Sequence, residues 1–364
     1  MSQIIQMFRR NFGTLIRLLP LFAFVPPIVI LYFLYPWSFE QTLHGRTFLF
    51  FFVWLISLEI IIFWDESQTI KIKKIKSVRA VLLVAALLLP TIYVIVENYC
   101  GLNIIIENIA KSMGVEKTSW PAVSVEYLVF MAFLILTVQL LYGVSGLSKF
   151  SVSIIFASVI GTLFVIDNLY PYGRFAPLQA LVPATTNIVA YIFNLMGYKT
   201  SITFVNNDPT YGSYTSLTVT NPQGVSATLG IAWACSGIES LIIYTVTVVS
   251  FLRKMDKSLK VKAAYFAIGA VITYFINIFR IITLFSLKIE CVLAGSKYGL
   301  DSPQYQSARA QWQRFHDYYG MLYSIAWIVT YPLIIIGCQI LWGKIKNWRT
   351  RNREKYQLLS NKLE

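Results

Sequence analysis

Apolar residues in this chain fall into long runs separated by short polar or basic stretches. A helix crosses the hydrocarbon core of a bilayer with about 20 apolar residues. Seven runs meet or approach that length: Leu18–Tyr35, Thr47–Trp64, Val78–Val96, Tyr127–Tyr142, Ile231–Phe251, Ala263–Leu287 and Tyr319–Trp342. Ser151–Ile166 is shorter but uncharged, and it counts as an eighth. Pro20, Pro26 and Pro27 predict a kink or a broken first turn in the first span, which neighbouring helices tolerate. That run is too long for a signal peptide and has no small-residue cleavage site, so it is expected to remain as an anchor.

Lys and Arg assign the sides. Arg9 and Arg10 lie at the start, and Lys71, Lys73, Lys74, Lys76 and Arg79 precede the third span. Arg253, Lys254, Lys257, Lys260 and Lys262 follow Phe251, and Lys344 to Lys362 form a basic tail. These stretches are expected inside. The segments around Glu97, Glu107, Glu116 and Glu126, and around Glu290 and Asp301, are less basic and expected outside. Leu178–Met196 is apolar enough to cross, but a crossing there would put the basic loop after Phe251 outside. Its interior also holds Pro183, Thr185, Thr186, Asn187 and Asn194, so it reads as an amphipathic helix in the outer interface. Between Tyr198 and Thr228 the pattern changes. Thr203–Val205 and Ser216–Thr220 are strand-like, with turn signals at Asn207-Asp208-Pro209 and Asn221-Pro222. The expectation is an all-α polytopic membrane protein with about eight spans, both termini inside, an outer interfacial helix and a short extracellular β segment leading into a helix at Ile231.

Composition agrees with this reading. Of 364 residues, 56% are hydrophobic and 13% charged, half the roughly 25% that covers a soluble surface. A net charge of +14 on a soluble chain would point to nucleic acid. Here the cations border apolar runs, so they read as topology signals and contacts to anionic headgroups, with no nucleic-acid partner. The four cysteines (Cys100, Cys235, Cys291, Cys338) match no metal spacing, and His44 and His316 are the only histidines. No metal or cofactor is expected. Cys100 and Cys291 both fall in stretches placed outside, which leaves a disulfide between them open.

Three residues carry candidate chemistry. Cys235, in Ile231-Ala-Trp-Ala-Cys-Ser-Gly-Ile-Glu239, is expected in the first turns of a helix that starts at the outer surface, where a thiolate is favoured. Ser236 and Gly237 are small enough for a substrate backbone to approach, and Glu239 is expected one turn deeper on the same face. Taken alone, a buried free cysteine is ordinarily packing. Arg280 lies inside a span, where a charge costs about 2.5–3.5 kcal/mol and needs a partner or a use. At 1.5 Å per residue it is roughly 25 Å along its helix, near the outer leaflet, with Asn277 on the same face. Alone it also reads as a snorkelling residue or an ion pair with Glu239. His316, in Arg314-Phe-His-Asp-Tyr-Tyr-Gly320, falls just before the last span, and a lone loop histidine is usually ordinary. All three nevertheless arrive at one depth on one side from Lys/Arg topology alone. A histidine beside a thiol takes its proton and later protonates a leaving amine. A guanidinium stabilises an oxyanion or the thiolate. Glu59, inside the second span, has no role in this reading beyond pairing within the bundle.

The segments Ala-Cys-Ser-Gly-Ile at 234–238, Asn-Ile-Phe-Arg at 277–280, and His316 with Gly320 resemble the exosortase/archaeosortase family of membrane-embedded transpeptidases, with a lean to the archaeosortase branch. The resemblance covers roughly residues 165 to 340. It implies a cysteine transpeptidase in the cell membrane, with its site facing outside. Its substrates would be surface proteins that end in a short motif, a transmembrane helix and a basic cluster, and a lipid acceptor would resolve the thioester. Carried over, Cys235 is the nucleophile, Arg280 the oxyanion or thiolate stabiliser, and His316 the acid/base. Some members carry Arg at the third position, which brings in Arg314 and nearby Arg309. The chain then divides into N-terminal membrane helices (1–150), a catalytic membrane core (151–343) and a basic cytoplasmic tail (344–364). The competing readings are a transporter for an anionic solute lined by Arg280 and Glu239, a glycan-assembly or lipid-transfer enzyme using carboxylates between Glu97 and Glu126, and a non-catalytic scaffold.

Overall fold

The structure is a computed structural model that describes residues 2–41, 45–64, 77–115, 121–170, 175–208, 212–253 and 255–360. His44, Lys71, Lys73, Lys74, Lys76, Glu116, Pro209, Lys254 and Lys362 lie outside the described residues. The first half contains α1 (Ser2–Leu34), α2 (Thr47–Ile62), α3 (Ser77–Tyr99), α4 (Leu102–Ser112), α5 (Pro121–Tyr142), the single turn α6 (Val144–Leu147) and α7 (Ser151–Leu169). Then follow α8 (Val182–Leu195), strands β1 (Lys199–Asp208), β2 (Gly212–Thr220) and β3 (Ser226–Ile231), and helices α9 (Ile238–Arg253), α10 (Leu259–Tyr298), α11 (Pro303–Arg314) and α12 (Gly320–Ser360). The chain is an all-α polytopic membrane protein with one small sheet.

Among the described residues, seven helical stretches are long and apolar enough to cross a membrane: Leu15–Leu34, Val78–Tyr99, Pro121–Tyr142, Ser151–Leu169, Pro177–Leu195, Leu259–Tyr298 and Pro303–Lys346. Two expected spans are shorter than the sequence suggested, since α2 and α9 have 16 residues each. At 1.5 Å per residue they reach about 24 Å, which a bilayer accommodates by local thinning. The run from Ile231 shortens because its first residues belong to a strand and a turn. The first helix continues through Pro20, Pro26 and Pro27, so of the two alternatives, a kink or a broken first turn, the broken turn is not there.

Pro177–Leu195 passes the length test, yet its apolar face is already occupied. Val189 and Phe193 of α8 pack with Leu217, Val219 and Ala227 of the sheet and with Ile281 and Phe285 of α10. The sheet is an antiparallel meander in the order β1-β2-β3, with Lys199 opposite Thr220 and Thr215 opposite Ile231. Its edge strands have unpaired backbone groups that hydrocarbon cannot satisfy. The helix that covers it packs at the level of the sheet. Sequence reading found the first two strands but took Ile231 as a helix start, where it ends β3.

The main core joins both halves of the chain. Phe24, Phe52, Phe130, Phe156, Tyr244 and Ile328 are fully buried within it. Glu59 has a definite place: its carboxylate accepts from the backbone N–H groups of Val152 (2.8 Å) and Ser153 (3.2 Å), so it caps the first turn of α7. Glu97 and Glu126, expected near outer loops, are buried in α3 and α5, 1% and 0% exposed. Arg46 donates to Glu126 through Nε (2.8 Å) and Nη2 (2.6 Å). Cys100 is exposed and Cys291 buried, each a free thiol, so the disulfide left open by the sequence is not made.

Candidate active site

Strand β3 delivers the chain to the thiol. After Ile231 it takes a 3-10 turn, Trp233–Cys235, in which the Cys235 N–H donates to Ala232 O at 3.0 Å. Cys235 therefore precedes α9 rather than lying in its first turns, a correction to the sequence reading. Gly237 separates turn from helix. Its φ is +91°, and a Cβ there would stand 2.9 Å from Asn277 Nδ2, so only glycine fits.

Three separate elements hold this elbow. Asn277 of α10 donates from Nδ2 to Cys235 O at 2.9 Å. Thr185 of α8 donates from Oγ1 to Ser236 O at 2.8 Å. Trp233 donates from Nε1 to Asp167 Oδ1 of α7 at 2.9 Å. Ser236 is buried and donates its hydroxyl to Trp233 O at 2.7 Å, so it closes the turn from within. Sequence reading had included Ser236, Gly237 and Asn277 but missed Thr185 and Asp167. Each of those two is an ordinary polar residue in an apolar stretch, and only the fold brings it to the elbow.

His316 does not sit in a loop. It lies in a π-helical turn, Phe315–Tyr319, that runs α11 directly into α12. Such turns recur at functional sites. Its imidazole lies close enough to the Cys235 thiol for the two groups to act on each other's protonation. Nδ1 meets Asp317 Oδ1 at 2.7 Å, which leaves Nε2 for the sulfur. Asp317 thus occupies the orienting position behind the imidazole, the third place in a thiol–imidazole–carboxylate arrangement. Sequence reading quoted it beside His316 and gave it no role.

Arg280 is 9% exposed, with Nη2 3.4 Å from His316 O and Nη1 3.6 Å from Met321 Sδ. Gly320 makes room for it, since a Cβ there would stand 2.8 Å from Arg280 Nε. The guanidinium charge acts on both Cys235 and Glu239. Glu239 is 3% exposed and its Oε1 has no hydrogen-bond partner. Burial pushes the Cys235 thiol up, but the His316 imidazole and the charge of Arg280 outweigh it, leaving the thiol below its ordinary range. Arg314 lines a groove at the junction of α11 and α12, with Gln311 and Phe315. Among the described residues no group of three or more His, Cys, Asp or Glu side chains is arranged to hold a metal ion.

A partly exposed thiol, an imidazole oriented by a carboxylate and a buried guanidinium, set at the end of a multi-span helical bundle, describe the class: a membrane protein equipped for cysteine-based acyl transfer. The family model described as transmembrane exosortase (Exosortase_EpsH) matches residues 36–332. The chain belongs to the transmembrane exosortase family, a family of membrane cysteine transpeptidases. The match begins after the first span and takes in the later spans before residue 165, which the motif resemblance did not cover. It does not separate the archaeosortase branch. No curated protein matches the chain, and no solved structure matches it.

Proposed function

We propose that this protein cleaves C-terminal sorting signals of surface proteins in the cell membrane and transfers the new carboxyl end to a lipid acceptor, at a site facing outside. The observation that carries this reading is the meeting of Cys235, His316 and Arg280, from three separate elements, at one point. His316 takes the thiol proton through Nε2 as sulfur attacks the scissile carbonyl carbon. Negative charge on the carbonyl oxygen is then stabilised by Arg280. His316 returns the proton to the departing amine, leaving a thioester on Cys235. The acceptor's hydroxyl or amine attacks that thioester, and its proton passes through His316 back to the sulfur as the product leaves. Asp317 holds the imidazole in the required tautomer.

The same reading assigns the substrate's short motif to the sheet end of the bundle, its helix to the bilayer and its basic cluster to the inside. The sidedness rests on the Lys/Arg distribution. The test is processing of a surface protein with such a tripartite tail from the same genome. Cys235→Ala is expected to abolish it while the enzyme stays in the membrane; normal processing in that variant removes the transpeptidase reading. Arg280→Lys is expected to lose roughly a hundredfold in rate, because an ammonium does not reproduce the guanidinium fork at an oxyanion.

A further inference from the structure

Helix α10 has 40 residues, about 60 Å at 1.5 Å per residue, twice a hydrocarbon core of about 30 Å. Its last turns therefore stand clear of the bilayer, and α11 packs along them. α11 is polar, has no buried residue and carries two arginines and no acid. At the α11–α12 junction, walled on one side by Leu287 of α10, lies a groove of about 740 Å³. Its lining is graded. The α11 end presents Ser307, Gln311 and Arg314; the α12 end presents Phe315, Leu322 and Tyr323. Among the described residues, Arg314 is its only charged lining residue. Next to Leu287, the Lys288 ammonium sits 4.1 Å from the Trp312 ring, which adds a second fixed cation nearby.

We infer that this groove binds an anionic phospholipid, with the headgroup phosphate on Arg314 and an acyl chain along Phe315, Leu322 and Leu287. The polar-to-apolar grading follows the axis of α12 as it enters the bilayer, the same order in which a phospholipid presents headgroup and chain. A guanidinium at the polar end matches a phosphate in geometry as well as charge. Among the described residues, no acid in the lining opposes it. The groove also accounts for Arg314, which the sequence placed with the catalytic residues and which here lines the groove.

The test uses the purified full chain in neutral detergent, titrated with dioctanoyl phosphatidylglycerol and read by native mass spectrometry. It is run on wild type and on Cys235→Ala, so that it does not depend on the transpeptidase reading. Both are expected to bind with equal affinity, more tightly than they bind dioctanoyl phosphatidylcholine. Arg314→Gln, at an exposed position, is expected to lose roughly tenfold for phosphatidylglycerol. Leu322→Trp, which fills the apolar end, is expected to lose both lipids. Arg309→Gln, on the same helix but outside the groove, is expected to bind as wild type. Unchanged binding in Arg314→Gln overturns the assignment, and so does an equal loss in Arg309→Gln, which would make the attraction diffuse surface charge. Competition by free glycerol phosphate as strong as by the whole lipid would contradict the acyl-chain half of the site.

Discussion

At Cys235 two effects oppose one another. Burial favours the thiol, while His316 and Arg280 favour the thiolate, and the second pair prevails. A lowered value means that the thiolate is already populated at a pH where an ordinary cysteine is still protonated. The rate of alkylation of Cys235, followed against pH, is expected to rise with a midpoint below that of an ordinary cysteine thiol. His316→Ala removes the first of the two stabilising effects, so the midpoint should move up. Asp317→Asn should slow processing while leaving the chain folded, because both side chains of that pair are exposed to solvent, at 42% and 55%. A midpoint indifferent to His316 would mean that the imidazole is not engaged with the sulfur.

At the scale of elements, the elbow from β3 to α9 depends on backbone geometry more than on any one side chain. Gly237→Ala meets both a left-handed φ and the Asn277 amide. It is expected to cost about 1–3 kcal/mol of stability, and to reduce processing further by displacing Cys235. Thermal unfolding in detergent separates the two effects. Glu59→Gln, at the start of α7, is expected to lower stability by about 1 kcal/mol through the helix dipole while leaving processing intact, since Glu59 caps α7 well away from the thiol. How much could be read in advance follows from the same physics. Long apolar runs announce helices, so most spans were legible. β3 was not, because Ser226–Ile231 is six residues continuous with an apolar run, and periodicity alone cannot separate a short strand from a helix start. The extension of α10 to Tyr298 and the whole of α11 were hidden because polar helices outside a bilayer lack the signal that marks spans.

Across the molecule, Cys235, Arg280 and His316 were legible because each is expensive or rare in its setting: an arginine in a span, a histidine among two, a thiol between small residues. Their partners were not, since Asp167 and Thr185 acquire a role only when α7 and α8 pack against the elbow. The fold thus supplies the support, and sequence supplies the reactive groups. The account's central claim is that the Cys235 sulfur becomes acylated by the substrate. Hydroxylamine intercepts thioesters, so adding it to membranes that contain the protein and a tripartite-tail substrate tests that claim directly. The account predicts a substrate ending in a hydroxamate at the cleavage point, formed with wild type and absent with Cys235→Ala. The same hydroxamate from Cys235→Ala membranes would contradict it.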